Sequence, residues 1–324
     1  MNAIIPVAGQ GKRLRPHTHT HPKVLMNVAG KPILAHILDD LRDLGIDEIT
    51  FVVGYLAEKV EEFVRERYPF RAHFVYQEEP LGNGHAIYVA REHLTGPTLI
   101  LFGDTIVQGD LRTAVRLPHS GIGVHPVSDP RAFGVVELDG DGFVRRLWEK
   151  PSVPPSDLAV VGVYVIQRPA PFRAALERLI DEQRMVNGEY WLADALQLMV
   201  EQGEPLGTFP VDHWYDCGTP ESLLRANHAL LEHALPPAHL AGSIVIPPAF
   251  VADSAVVEGS VIGPYVTIAE GARVTNAVIR ESIVNAGARV ESVLLEHSII
   301  GENAAVTGRR ARINLGDSSE VELA

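Results

Sequence analysis

The run AIIPVAGQGKRLRP, Ala3 to Pro16, joins a short apolar stretch to a loop of two glycines and a dense group of cations. Such a run reads as a buried strand followed by a turn. Gly9 and Gly11, with Ala8 before them, let the backbone approach a phosphate chain closely and turn its amide hydrogens inward. Lys12, Arg13, Arg15 and, further on, Lys23 supply charge for an anion. Two familiar glycine motifs do not fit. A dinucleotide fingerprint needs a third glycine where Leu14 stands, and a P-loop needs Gly at Pro6 and Ser or Thr at Arg13.

Outward from this run, further β-rich stretches (EITFVV, HFVYQ, TLILF) alternate with helical ones. In PILAHILDDLRDLG, Ile33, Leu34, Ile37, Leu38, Leu41 and Leu44 make one apolar face, and Gly45 is a natural stop. Alternation of this kind predicts an α/β fold: a Rossmann-like mixed, mainly parallel sheet with helices on both faces. Such sheets bind ligands beyond the carboxyl ends of their strands, so functional loops should follow strands. The pattern holds to about residue 233. LEHALPPAHLAGS, with adjacent prolines and small residues, then breaks it, and residues 234–243 read as a linker.

From residue 244 to 324 the chain reads as a second domain with a short C-terminal tail. Val251, Val257, Ile262, Ile268, Val274, Ile279, Val284, Val290, Leu295, Ile300 and Val306 recur every five or six positions. One such repeat cannot bury its aliphatic residue by itself, so the repeats predict stacked coils, a parallel β-helix. Roughly eleven repeats at three per turn predict just under four coils.

Bulk properties exclude several classes. The 324 residues, 46% hydrophobic and 21% charged, are a normal globular mix. A formal charge of −13, from 28 Lys and Arg against 41 Asp and Glu, argues against general binding of nucleic acid or an anionic membrane. A single cysteine, Cys217, excludes an internal disulfide and a cysteine-based zinc cluster. With no basic segment before the first apolar run and no apolar run near ~18 residues, a cytoplasmic location is expected.

PHTHTHPK, Pro16 to Lys23, places three histidines at alternate positions, which on an extended chain would share one side. A zinc site there would lack a fourth ligand and would lie between the cations Arg13 and Lys23. The segment is expected to serve an anion-binding loop instead.

AGQGKRLRP followed by PKVLMNVAGKPIL resembles the signature of the sugar-1-phosphate nucleotidylyltransferases, roughly AGxGTRLxP and then PKxLxPVxxKP. Later motifs agree in order: QEEPLGNGHA resembles the family's nucleobase loop, FGDT its metal-binding aspartate, and FGVVELDGDGFVRRLWEKP its sugar segment. GEYWLADAL and WYDCGTPESLLRAN resemble its next sugar-side element and second metal segment. These motifs cover nearly all of residues 1–233, and a C-terminal left-handed β-helix is common in the family. Lys12, Ala193 and Cys217 depart from its usual residues; none of the three removes a charge the chemistry needs.

The resemblance implies transfer of a nucleotidyl group from a nucleoside triphosphate, dTTP or UTP, to a sugar 1-phosphate such as glucose 1-phosphate, with Mg²⁺ as cofactor. An N-acetylglucosamine 1-phosphate substrate or a GTP and mannose 1-phosphate pair are the alternatives. The attacking phosphate oxygen is already an anion, so no general base is required. The barrier is repulsion between anions and charge building on pyrophosphate, which fixed cations and Mg²⁺ relieve. Asp104 and Asp216 would hold the Mg²⁺, which commonly takes only one or two carboxylates beside phosphates and waters. Arg13 would hold the β- and γ-phosphates, Lys23 the α-phosphate and Lys150 the sugar phosphate. Glu149 would accept from sugar hydroxyls near Gly134 and Gly162. Gln77 offers a donor and an acceptor to a pyrimidine edge, and Gly82 lets the base pack on the backbone. Two rivals remain: an acyltransferase using His297 of the repeats, and a non-catalytic scaffold of the same fold. Apolar outer faces such as SVLLEHSII predict a homo-oligomer through the repeats.

Overall fold

The computed structural model describes residues 1–232, 240 and 242–308. It divides into two compact units: Met1–Met26 with Lys31–Ala226, and Asn27–Gly30 with the described residues from Asn227 onward. Most of the expected linker, 234–243, and the expected C-terminal tail lie outside the described residues.

The first unit is built on strands β1 (Asn2–Pro6), β2 (Glu48–Val53), β3 (Arg71–Tyr76) and β4 (Thr98–Leu101), then β5 (Thr105–Gln108), β6 (Ser120–Pro126), β7 (Gly134–Leu138), β8 (Val144–Glu149), β9 (Leu158–Ile166), β10 (Leu206–Pro210) and β11 (His213–Asp216). A nine-stranded mixed sheet runs β8-β7-β9-β4-β1-β2-β3, with β6 beside β9 and β10 beside β6. Its core, β4-β1-β2-β3, is parallel. Both faces of β4, β1 and β2 are buried, which is why these strands read as apolar runs, whereas β3 at the sheet edge is only partly buried. Ala3, Ile5, Phe51, Val53, Leu99 and Leu101 pack into one cluster and the intervening Ile4, Val52 and Ile100 into another. Helix α1 (Ile33–Asp43) lays Leu34, Ile37, Leu38 and Leu41 on the first cluster. Gly45, at φ 74°, ends it with an N–H donated to Arg42 O at 3.0 Å.

The chain moves from β1 outward through β2 and β3, then returns to the other side of β1 with β4. Strand order reverses there, so a crevice opens beyond Pro6 and Leu101. Gly103 is the residue that lets the two strand ends close up. A Cβ on it would lie 2.5 Å from Val7 Cγ1, and its N–H donates to Pro6 O at 3.3 Å.

Among the described residues, the second unit stacks twelve short strands into three four-stranded parallel sheets, starting at Ile244–Val245, Ala249–Val251 and Val256–Glu258. These are four coils, because the pair Ile244–Val245 supplies a strand that the aliphatic count did not include. Coil length follows from the register: Ile244 pairs with Val261, 17 residues on, and Val278 with Leu294, 16 on. Equivalent aliphatic residues stand over one another, as in Val257, Val274, Val290 and Val306. All eleven aliphatic residues of the repeat pattern belong to this cluster or pack against it. A run of parallel coils in three-sheet form is consistent with the left-handed β-helix.

Candidate active site

The loop after β1 forms a turn at Lys12–Leu14, with Arg13 and Lys12 exposed and Leu14 buried. Gly11 adopts φ 60°, and a Cβ there would meet Lys23 Cβ at 2.9 Å. This glycine therefore makes room for the stem of Lys23. Gly9 has nothing within 4 Å of the place a Cβ would take, so the space over it is open. Ala8 O accepts from Tyr55 N at 3.4 Å, fixing the start of the loop.

The histidine segment is not extended. His17–His19 is a 3-10 turn, with Thr18 buried and its hydroxyl donated to Gly11 O at 2.8 Å. Tyr55 and Lys59 donate to His19 O and Thr20 O at 2.8 and 2.6 Å, and the His21 ring bonds Leu25 O at 2.9 Å. Long-range donors, absent from the local pattern, bend it. The segment braces the loop that carries Arg13.

Asp104 stands just before β5 and Asp216 ends β11. These two strands pair antiparallel with Asp216 opposite Thr105, so the register brings the carboxylates to one place. Cys217 N donates to Asp104 O at 3.1 Å, closing the junction. Lys23 Nζ, itself buried, lies 2.5 Å from Asp104 Oδ2. Burial pushes the Asp104 carboxyl up, but the charge and hydrogen bond of Lys23 outweigh it and hold the group below its usual range. Among the described residues, no three His, Cys, Asp or Glu side chains are grouped to hold a metal. Two carboxylates beside a loop rich in glycine and cations are a donor set that fits a hard cation able to take its other ligands from phosphates and water.

One cleft, with a cavity volume of about 200 Å³, is lined by Asp104, Gly134, Glu149, Lys150, Gly162 and Asp216, together with Trp148, Trp191 and Trp214. All three tryptophans of the chain thus face one cleft. A Cβ at Gly134 would come within 3.2 Å of Glu149 Oε2, and Gly162, at φ 78°, lets the Phe102 ring pack against its backbone. Burial raises the Glu149 carboxyl above its ordinary value, while the charge of Lys150, 3.7 Å away, pulls it back.

Gln77 and Gly82 meet beyond β3. Gln77 Nε2 donates to Gly82 O at 3.0 Å and lies 3.1 Å from His85 Nδ1. Burial lowers the His85 pKa. Gln77, expected to offer a donor and an acceptor to the base, thus has its amide nitrogen bonded within its own loop. Gly82, at φ 98°, would drive a Cβ to 2.6 Å from Tyr190 O.

Gly218 was missed by sequence reasoning. A Cβ on it would lie 2.6 Å from Arg13 Nη2 and 3.0 Å from Asp216 Oδ1. The glycine after Asp216-Cys217 thus brings Arg13 next to Asp216, and its place in WYDCGT was the one available signal. His297, in contrast, is on the repeat surface beside Glu281 Oε2 at 3.3 Å. No helix of the described residues is long and apolar enough to cross a membrane.

The nucleotidyl transferase family model matches residues 2–233. A glucose-1-phosphate thymidylyltransferase of Streptomyces antibioticus is 32% identical over 359 aligned positions, covering 100% of this chain and 99% of that protein. The low-salt glycan biosynthesis nucleotidyltransferase Agl11 of Haloferax volcanii is 32% identical, with 100% of both chains covered. The solved UDP-glucose pyrophosphorylase of Acinetobacter baumanii aligns with a TM-score of 0.61 at 22% identity, over 72% of this chain and 94% of that one, a likeness of fold.

Proposed function

Because this chain belongs to the nucleotidyl transferase family, we propose that it is a Mg²⁺-dependent sugar-1-phosphate nucleotidyltransferase. It takes a pyrimidine nucleoside triphosphate and glucose 1-phosphate and releases pyrophosphate. Whole-length relatives named for thymidylyl transfer favour dTTP, with UTP second. The observation that carries the reading is the meeting of Lys23, Asp104 and Asp216 at the strand ends beside the cleft of Glu149 and Lys150.

In this reading the sugar phosphate oxygen attacks the α-phosphorus as an anion and needs no base. Lys150 and Glu149 hold the acceptor by its phosphate and hydroxyls. Lys23 lies against the α-phosphate, and Arg13, drawn in over Gly218, takes the charge of the departing pyrophosphate. Mg²⁺ on Asp104 and Asp216 would supply Lewis-acid charge neutralisation. The cleft, below the ~300–1,000 Å³ of drug-sized sites, suits a hexose phosphate rather than a whole nucleotide. With Nε2 of Gln77 engaged, its carbonyl oxygen is left for the N3–H of uracil or thymine, a donor that cytosine lacks. The single cysteine accords with a reducing, cytoplasmic setting.

The repeats point to a homo-oligomer. Ile244, Val261, Val278 and Leu294 form an in-register outward column, with Ile244 and Leu294 61% and 71% exposed. The corresponding column of another sheet carries Arg273 and Arg289.

The deciding experiment measures pyrophosphate release over a matrix of dTTP, UTP, GTP, ATP and CTP against hexose 1-phosphates, with and without Mg²⁺. Release confined to dTTP and UTP, and not CTP, with a gluco-configured acceptor is expected. No release with any pair, or acyl transfer from acyl-CoA instead, would overturn the reading.

A further inference from the structure

Lys150 is restrained far more than an exposed lysine ordinarily is. Its backbone adopts φ 45°, a left-handed conformation that is unfavourable for a side-chain-bearing residue and that is retained only where surrounding structure over-determines it. Its N–H donates to Phe133 O at 3.1 Å, and Pro151 follows. The ammonium then lies 3.7 Å from Glu149 Oε1 and 5.4 Å from the centroid of the Trp191 ring.

Trp191 is in turn held from two directions. Its indole N–H donates to Val186 O at 3.4 Å. Its own segment is joined to the loop of Gly82: Tyr190 N donates to Leu81 O, Gly84 N to Tyr190 O and Leu192 N to Asn83 Oδ1, each at 2.8 Å.

A carboxylate and an aromatic face hold an ammonium differently. Glu149 offers lone pairs that occupy N–H donors. The indole face attracts the charge through its quadrupole and leaves those donors free to meet phosphate oxygens. We propose that Trp191 is the positioning residue of the sugar-phosphate site, holding the Lys150 ammonium over the cleft by a cation–π contact and keeping Glu149 from drawing it aside. The proposal rests on the reading of Lys150 as the group that binds the acceptor's phosphate.

Steady-state kinetics of Lys150→Ala, Trp191→Leu, Trp191→Phe and the Lys150→Ala/Trp191→Leu double variant test it, with glucose 1-phosphate and dTTP varied in turn. Trp191→Leu should raise the KM for the sugar phosphate about threefold to tenfold, with kcat and the KM for nucleotide near the parent values. Trp191→Phe should recover most of the loss, and Trp191→Leu should add nothing in the Lys150→Ala background. If Lys150→Ala leaves the sugar-phosphate KM unchanged, the reading of Lys150 fails and the proposal with it. If Lys150→Ala raises it but Trp191→Leu has no effect, or adds in full to Lys150→Ala, the positioning role alone is overturned. An equal rise in both KM values for Trp191→Leu marks a merely structural residue and overturns it as well.

Discussion

Lys23 Nζ rests 2.5 Å from Asp104 Oδ2, so two groups 81 positions apart share one ion pair at the mouth of the crevice. This carboxylate is also one of the two proposed for Mg²⁺. Asp104→Asn should therefore cut turnover by about a hundredfold or more, the scale of losing more than an outer-shell partner. It should also lower the melting temperature, because buried Lys23 loses its ion pair to a carboxylate that is 39% exposed, at a cost of about 1–2 kcal/mol. Turnover at limiting Mg²⁺ and a thermal melt check both; near-normal turnover would remove Asp104 from the site.

Gly218→Ala tests the approach of Arg13 to Asp216. The atoms that a new Cβ would meet are the side-chain ends of Arg13 and Asp216, so the fold should absorb the change while the guanidinium and carboxylate shift. Turnover should fall by about ten- to a hundredfold, as expected when a charged group is misplaced by an ångström. A melting temperature close to that of the parent separates this from misfolding.

Cys217 is fully buried, and burial raises its thiol above the usual range, with Lys23 only partly offsetting this. The thiolate is the reactive form. Iodoacetamide should leave the folded protein unlabelled and modify it on denaturation, read by intact mass. Rapid labelling of the native chain would mean that the junction between Cys217 and Asp104 opens readily.

Within the repeats, inward and outward positions should respond oppositely to the same change. Ile279→Asp buries a charge in the coil interior and should cost about 3 kcal/mol or more. Leu294→Asp, on an exposed column, should alter stability by less than about 0.5 kcal/mol and instead lower the mass seen by light scattering. A parent that is already a monomer would show that this column serves another purpose.

Much of this was legible because it depends on local period. The alternation of apolar runs locates the strands, and Ile33 to Leu44 mark one helix face. What escaped depends on contacts between distant segments. Nothing in PHTHTHPK announces that Tyr55 and Lys59 will bond its carbonyls and bend it. Gln77 reads as a free amide until the fold brings Gly82 O and His85 to it. The same holds for Gly218, whose neighbour Arg13 is remote in sequence. Asp104 and Asp216 stood out as candidates from their motifs, whereas the register that joins them, Asp216 opposite Thr105, does not follow from either motif.

The stacked aliphatic columns also set a rule for changing the length of the chain. Each coil touches mainly the coils above and below it, and Val261, Val278 and Leu294 are equivalent positions in successive coils. Excising residues 278–293 would join Ala277 to Leu294 with every column intact, so the second domain could lose or gain whole coils as beads on a rod. A cut that is not a whole number of coils would rotate inward aliphatic residues to the surface. Length variation here should therefore be quantised in steps of 16 or 17 residues, the spacing that the pairing of Ile244 with Val261 and of Val278 with Leu294 sets.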